Sequence, residues 1–324
     1  MSGSEAGVNL PALTVALSQV VVLVVLSPLV IGLMRTVRAR LEGRVGGGLG
    51  QPFRDVRKLL AKEPIRAKGT SWLSVAGPLV LMASSLVVCA LMPLLGTVTF
   101  DRMPDDLFVV VSVLLLGTVA VALVGLDAGT AFGGMGSSRH MTIAALVEPT
   151  VLLAVYALSI PVGSSVLSRI VAARLEDPTS VFSPVSLLAL LALAIAVVAE
   201  TGRLPVDNPA THLELTMVHE AMVLESSGRD LAWLELGSWL RLGALLGLLA
   251  TLLAPWGVVT EVSAPGLLLA ALALSVKLTV AATLLATVEV FVAKVRLFRV
   301  PELLAGSFVL AFLAVTASYL VAPG

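Results

Sequence analysis

The chain contains one cysteine, Cys89, and it lies inside an apolar run. A disulfide framework is therefore excluded, and so is a cysteine cluster for iron–sulfur or zinc. Charge is scarce: Asp, Glu, Lys and Arg make up 13% of the 324 residues, and mean hydropathy is +1.02. With a formal net charge of zero, nothing in the balance points to nucleic acid. Several chemistries lack their residues. The glycines from Gly46 to Gly50 are not followed by Gly-Lys-Ser/Thr, so they form no phosphate loop. His219-Glu220-Ala221-Met222-Val223 has no second histidine, and His212 and His219 stand two helical turns apart, too far to share a metal unaided. No Gly-x-Ser-x-Gly appears. Met1 to Gly7 lacks the basic segment of a signal peptide, so the first apolar run is expected to remain as a membrane span.

What the chain has is long apolar runs, with 58% hydrophobic residues. A run of about 20 residues crosses some 30 Å of hydrocarbon as a helix, the only open-chain form that satisfies its own backbone there. Eight runs qualify, at 10–34, 72–95, 107–126, 149–167, 181–199, 239–259, 265–292 and 303–322. The expected fold is an all-α polytopic membrane protein, a single transmembrane domain over 1–324 with amphipathic loop helices. Seventeen of the 21 Lys and Arg fall in the loops 35–71, 127–148, 200–238 and 293–302 or just beside them, ten of them between Arg35 and Lys68. Arg102, Arg169 and Arg174 lie in the opposite loops. The positive-inside rule places the basic loops in the cytoplasm and both termini outside the cell membrane.

The stretch from Ala199 to Glu225 concentrates the polar residues, with Glu200, Asp207, Glu214, Glu220 and Glu225 beside His212 and His219. Pro205 and Pro209 hold its first half extended. Thr211-x-x-Glu214 reads as a capping box opening a helix, on which Glu214 and Glu225 share a face because eleven residues make about three turns. A solvated face is the plain alternative for these acids. Against it, Leu213, Leu215, Met217, Val218, Met222 and Val223 are interleaved with them and require burial. Such acids exchange protons near neutral pH. Lys277 sits well inside the seventh span, where a lysine costs about 2.5–3.5 kcal/mol on insertion scales. It is a candidate for an ion path. Asp127, Glu148, Glu200 and Glu289 lie nearer span ends and are weaker candidates, since capping or snorkelling explains them more cheaply.

In the first basic loop Phe53, Val56, Leu59 and Leu60 form an apolar stripe, with Arg54, Arg57, Lys58 and Lys62 largely elsewhere. It reads as an interfacial helix on anionic lipid or as a docking helix for a soluble partner. The Gly-rich Phe132 to His140 stretch permits tight turns and close backbone approach.

The run Glu200-Thr201-Gly202-Arg203-Leu204-Pro205-Val206-Asp207-Asn208-Pro209-Ala210-Thr211-His212-Leu213-Glu214-Leu215-Thr216-Met217 resembles the membrane subunit of energy-converting nickel–iron hydrogenases of the formate hydrogenlyase type. That family is related to the quinone-channel subunit 1 of respiratory complex I. Gly50-Gln51-Pro52 with Asp55, Lys58 and Lys62-Glu63, and Phe132-Gly133-Gly134-Met135-Gly136-Ser137-Ser138-Arg139, resemble the family's other two loops. His140 and Ser226 depart from the family pattern, which has glutamate and tyrosine there. The resemblance implies a subunit without its own redox centre or metal, coupling electron transfer to proton or sodium movement. Its implied partners are a hydrogenase-like large subunit, a small subunit with iron–sulfur clusters, and antiporter-like membrane subunits. The nickel–iron centre belongs to those partners. Gln51, Pro52, Asp55, Lys58, Arg139, Arg203, His212 and His219 are the expected docking residues, and the acids above with Lys277 the expected proton path. The alternatives are a quinone-site membrane subunit of an NADH-quinone oxidoreductase, marked by an apolar tunnel, and a stand-alone secondary transporter, marked by repeat symmetry.

Overall fold

The computed structural model describes residues 10–98, 105–207, 217–292 and 299–321. Among them the apolar runs become helices, as the need for internal backbone pairing in lipid dictates. Seven are long and apolar enough to cross a membrane: α1 (Leu10–Leu41), α3 (Leu73–Leu91), α4 (Leu107–Asp127), α5 (Ala131–Ser159), α9 (Gly228–Leu253), α10 (Ala264–Phe291) and α11 (Val300–Val321). α7 (Pro184–Glu200) is apolar but has 17 residues, about 25 Å at 1.5 Å each. A 3-10 turn over Pro178–Phe182 leads into it. The short helices α2 (Gln51–Leu60), α6 (Leu167–Glu176) and α8 (His219–Val223) complete the described set.

α9 is the hub and the most buried of the seven long helices. It packs on α1, α3, α7 and α10, and α2 lies against it. α3, α4 and α5 follow in sequence order around it, and α11 closes on α5 and α7. α10 sits at the edge on α1 and α9 and is the least buried of the seven.

The largest difference from expectation is α5. Residues 127–148 read as a loop and 149–167 as a span, yet the helix begins at Ala131 and ends at Ser159. Small residues are the reason. A Cβ on Gly133 would lie 2.2 Å from the Gly125 carbonyl oxygen of α4, so this glycine marks a close helix crossing, not a turn. α9 likewise starts at Gly228, running through Arg229, Asp230 and Glu235, where a loop to residue 238 is expected from the sequence. In the central stretch, one helix running from Thr211 to Glu225 is not what forms. Met217 and Val218 are outside any helix, α8 has five residues, and Glu225 lies beyond it. Glu214 and His212 fall outside the described residues.

α3 ends at Leu91, just before Pro93. The fully buried Gln19 of α1 repairs the break. It donates to the Cys89 and Met92 carbonyls and accepts from the amides of Leu94 and Leu95 at 3.0 Å each. Buried Arg174 of α6 donates to the Leu252 carbonyl at the end of α9 and to Ser186 Oγ at 2.7 Å. Burial lowers its pKa to about 10.

Candidate functional site

A cavity of about 520 Å³ lies where the last turns of α1, the Gly46-Gly47 turn, the end of α7 and the central stretch meet α9. Apolar side chains, Leu81, Val121 and Ile143 among them, share its walls with ionisable groups. Its contents follow from two buried ion-pair systems.

The first centres on Arg241 of α9, which is buried. Its guanidinium pairs with the Glu200 carboxylate at the end of α7. It also donates to Thr118 Oγ1 at 2.5 Å and to the Leu114 carbonyl at 2.9 Å on α4. Thr118 in turn lies 3.4 Å from Glu200. Gly117 makes the room, since a Cβ there would stand 3.2 Å from Arg241 Nη1 and 2.7 Å from Ser84 Oγ. Glu148 of α5 is buried beside Thr118, with Glu200 and Arg241 near enough to act on it electrostatically. Two carboxyls, one guanidinium and a hydroxyl thus share one apolar pocket of four helices.

The second system joins α10 to α1. Glu289 has no exposed side-chain surface and pairs with Arg38, while Arg203 Nη1 approaches its other oxygen at 3.9 Å. Desolvation lowers the pKa of Arg203; Glu289 opposes that, and Arg38 and Arg35 add to it. The side chain remains charged, as arginine does, so it is a cation held in the cavity wall by its neighbours. Arg35 beside it lies 5.9 Å over the Trp239 ring and 3.4 Å from Asp55 of α2.

The glycine-rich motif at the start of α5 positions the central stretch. Arg139 Nη1 donates to the Met217 carbonyl at 3.0 Å, and Ser137 Oγ to the Ala122 carbonyl at 2.8 Å. A Cβ on Gly136 would meet Ala221 Cβ and the Val218 carbonyl oxygen at 2.9 Å each. Buried Asp207 accepts from the His219 amide at 3.2 Å, tying residues 203–207 to α8. Motifs expected in two separate loops are therefore one packed unit.

Of the residues singled out in the sequence, the cavity brings together Glu200, Arg203, Asp207, His219 and Glu220, with Glu289 and Glu148 paired or packed next to its walls. Asp127 is elsewhere, accepting from the Ser71 amide at 3.1 and 2.9 Å. Glu225 is exposed outside it, and Lys277 lies half-buried at mid-length in α10. In α2, Gln51 donates to Asp55 at 2.8 Å, Pro52 faces inward, and Lys58 and Phe53 are exposed. Arg35, Arg38, Arg44, His140, Glu235 and Arg241 line the cavity too, and sequence reasoning assigns none of them to a site. Arg241 carried a usable signal, an arginine inside an otherwise uncharged run. Among the described residues, no three His, Cys, Asp or Glu side chains are grouped to hold a metal.

A family model described as NADH dehydrogenase matches residues 13–320. The chain is 32% identical over 298 residues to formate hydrogenlyase subunit 4 of Escherichia coli (strain K12), covering 92% of this chain and 96% of that protein. It is 34% identical over 251 residues to hydrogenase-4 component C of the same organism, covering 76% and 77%. Among solved structures, a chain of the membrane-bound sulfane sulfur reductase, an archaeal respiratory membrane complex, superposes with a TM-score of 0.82 at 20% identity, covering 95% of this chain and 99% of that one.

Proposed function

The chain belongs to the NADH dehydrogenase family of complex I subunit 1, and from that premise we propose that it docks a soluble redox module and couples its electron transfer to ion movement through the charged cavity. The chain is a multi-pass membrane subunit of a hydrogenase-like or complex I-like complex. In this reading the module consists of a hydrogenase-like large subunit and an iron–sulfur small subunit on the cytoplasmic side. Their metal centres stay with them, and antiporter-like subunits lie alongside in the membrane. Exposed Lys58 and Phe53 of α2 belong to the docking face.

One observation carries the coupling: the Arg241–Glu200 pair sits at the inner wall of a cavity that runs to the motif-bearing face. Ionisable groups line the route, so a proton or ion travels among carboxylates and arginines. Residues 203–207, α8 and the start of α5 are mutually tied, through Asp207–His219 and Arg139–Met217. Movement of the docked partner therefore reaches Glu200 through packed structure, shifting its pairing with Arg241 and the field it exerts on Glu148. Moving one charge against 100 mV takes about 2.3 kcal/mol, well within reach of a redox step.

The test is Glu200→Gln in the intact complex. It keeps shape and an acceptor for Arg241 while removing the charge. The expected result is assembly and dye-linked redox activity retained, with ion pumping in proteoliposomes falling at least tenfold. Normal pumping at full redox activity would sink the coupling role. Loss of assembly would leave docking as the function of this region.

A further inference from the structure

Lys277 is thirteen residues from the start of α10 and fourteen from its end, about 20 Å from either. The bilayer surface is about 15 Å from its midplane, farther than a four-carbon stem carries an ammonium group. Charged groups at that depth pair with one another or face a wet cavity. Lys277 does not line the charged cavity. Among the described residues its ammonium group has no ion pair or hydrogen bond.

Its surroundings show where a partner must come from. Ala270, Leu274, Leu278, Ala282 and Leu285 form the face of α10 that packs on α1 and α9. Lys277 lies at the margin of that face. Beside it, Leu272, Val276, Val280 and Leu284 point outward, each more than half exposed. α10 is the least covered of the seven long helices. An apolar face alone is satisfied by lipid; an apolar face bordered by an unpaired mid-bilayer cation is not.

We propose that this face of α10 seats a transmembrane helix of a second membrane subunit, and that a carboxylate on that helix at mid-bilayer depth pairs with Lys277. The inference rests on the reading of the chain as one membrane subunit among several. Charge complementarity selects the occupant. Lipid tails offer no anion at that depth, and a second copy of this chain would bring another lysine to the same level.

The experiment uses the whole complex in its native membrane. A photo-crosslinking residue replaces Val276 or Val280, leaving Lys277 intact. The expected adduct joins one other membrane subunit, through a peptide with Asp or Glu within about one helical turn of the linked position. Lys277→Glu then lowers recovery of that subunit with the chain at least tenfold in mild detergent, and changing its acid to lysine restores it. Adducts with lipid alone, or with a second copy of the chain, overturn the proposal. A linked peptide without an acid does so too, as does recovery within twofold of normal for Lys277→Glu. If the soluble redox module still co-purifies and reduces dye while α10 yields lipid adducts, the pairing falls and the coupling reading stands.

Discussion

Arg241 and Glu200 stand 41 positions apart in sequence and meet as a buried ion pair, with Thr118 of a third helix also accepting from the guanidinium. Removing the guanidinium strands the Glu200 carboxylate in an apolar setting with no cation beside it, which costs about 3–5 kcal/mol. Arg241→Met should therefore lower the thermal midpoint of the purified complex sharply. Adding Glu200→Gln should recover a large part of the loss, because no ionised partner is then left behind. A double variant as unstable as Arg241→Met alone would show that the two side chains do not act as a pair.

Gly133 and Gly134 are neighbours in one motif with opposite surroundings. A Cβ on Gly133 meets the Gly125 carbonyl at 2.2 Å, while one on Gly134 has nothing within 4 Å. Gly133→Ala should force α4 and α5 apart at a cost of about 1–3 kcal/mol or more. Gly134→Ala should be neutral or stabilise by up to about 1 kcal/mol, through helix propensity. Thermal denaturation of the two variants, side by side, decides it.

Gln19→Leu removes one side chain that serves four backbone groups between Cys89 and Leu95. Each buried group left unpaired costs about 1–3 kcal/mol. The variant should be recovered at a small fraction of normal yield and show increased protease sensitivity between α3 and α4. Wild-type yield and protection would mean that other groups can satisfy this break.

Glu214→Gln tests the central stretch beyond the described residues. Docking should survive, because shape and hydrogen-bonding capacity are kept. Dye-linked redox activity is expected to stay within about twofold while pumping falls severalfold, on the same proteoliposome assay as for Glu200→Gln. Parallel loss of both activities would assign Glu214 to docking.

Membrane orientation is open to direct labelling. Ser71 and Thr179 are exposed in connections at opposite ends of the bundle, and Cys89 is fully buried and so gives no background. Ser71→Cys should react only from the cytoplasmic side and Thr179→Cys only from outside. Reaction of both from one side would overturn the charge-based orientation.

The helices are legible in the sequence where charge is absent, because lipid leaves an apolar segment no other backbone solution. That is why α3, α4 and α10 begin within a residue of the expected positions. Legibility fails where small residues pack helices together. Gly133 and Gly136 look like turn-formers in sequence, and their role is visible only beside Gly125 and Ala221. Arg241 is legible as an anomaly in its run but not as a cavity residue, since its partners Thr118 and Glu200 come from other helices. Arg139 reads as part of a partner's docking surface because an arginine in a loop usually faces outward. The central stretch is close enough to occupy it instead. The acids of that stretch share one helical face only if the helix is continuous, and a break at Met217–Val218 removes that face.

The link from Arg38 to Glu289 also sets a clock on biogenesis. Its ends are 251 residues apart, so at about 5–20 residues per second the ribosome delivers them roughly ten to fifty seconds apart. Throughout that interval Arg38, Arg35 and later Arg203 stand together without the acid that draws them in. The nascent bundle is therefore open on the α10 side while its most basic rim is already made. Insertion machinery or anionic lipid has that long to occupy the gap, and α10 must displace whatever does. A chain released before α10 emerges carries every loop motif and still lacks the acid that pairs with Arg38.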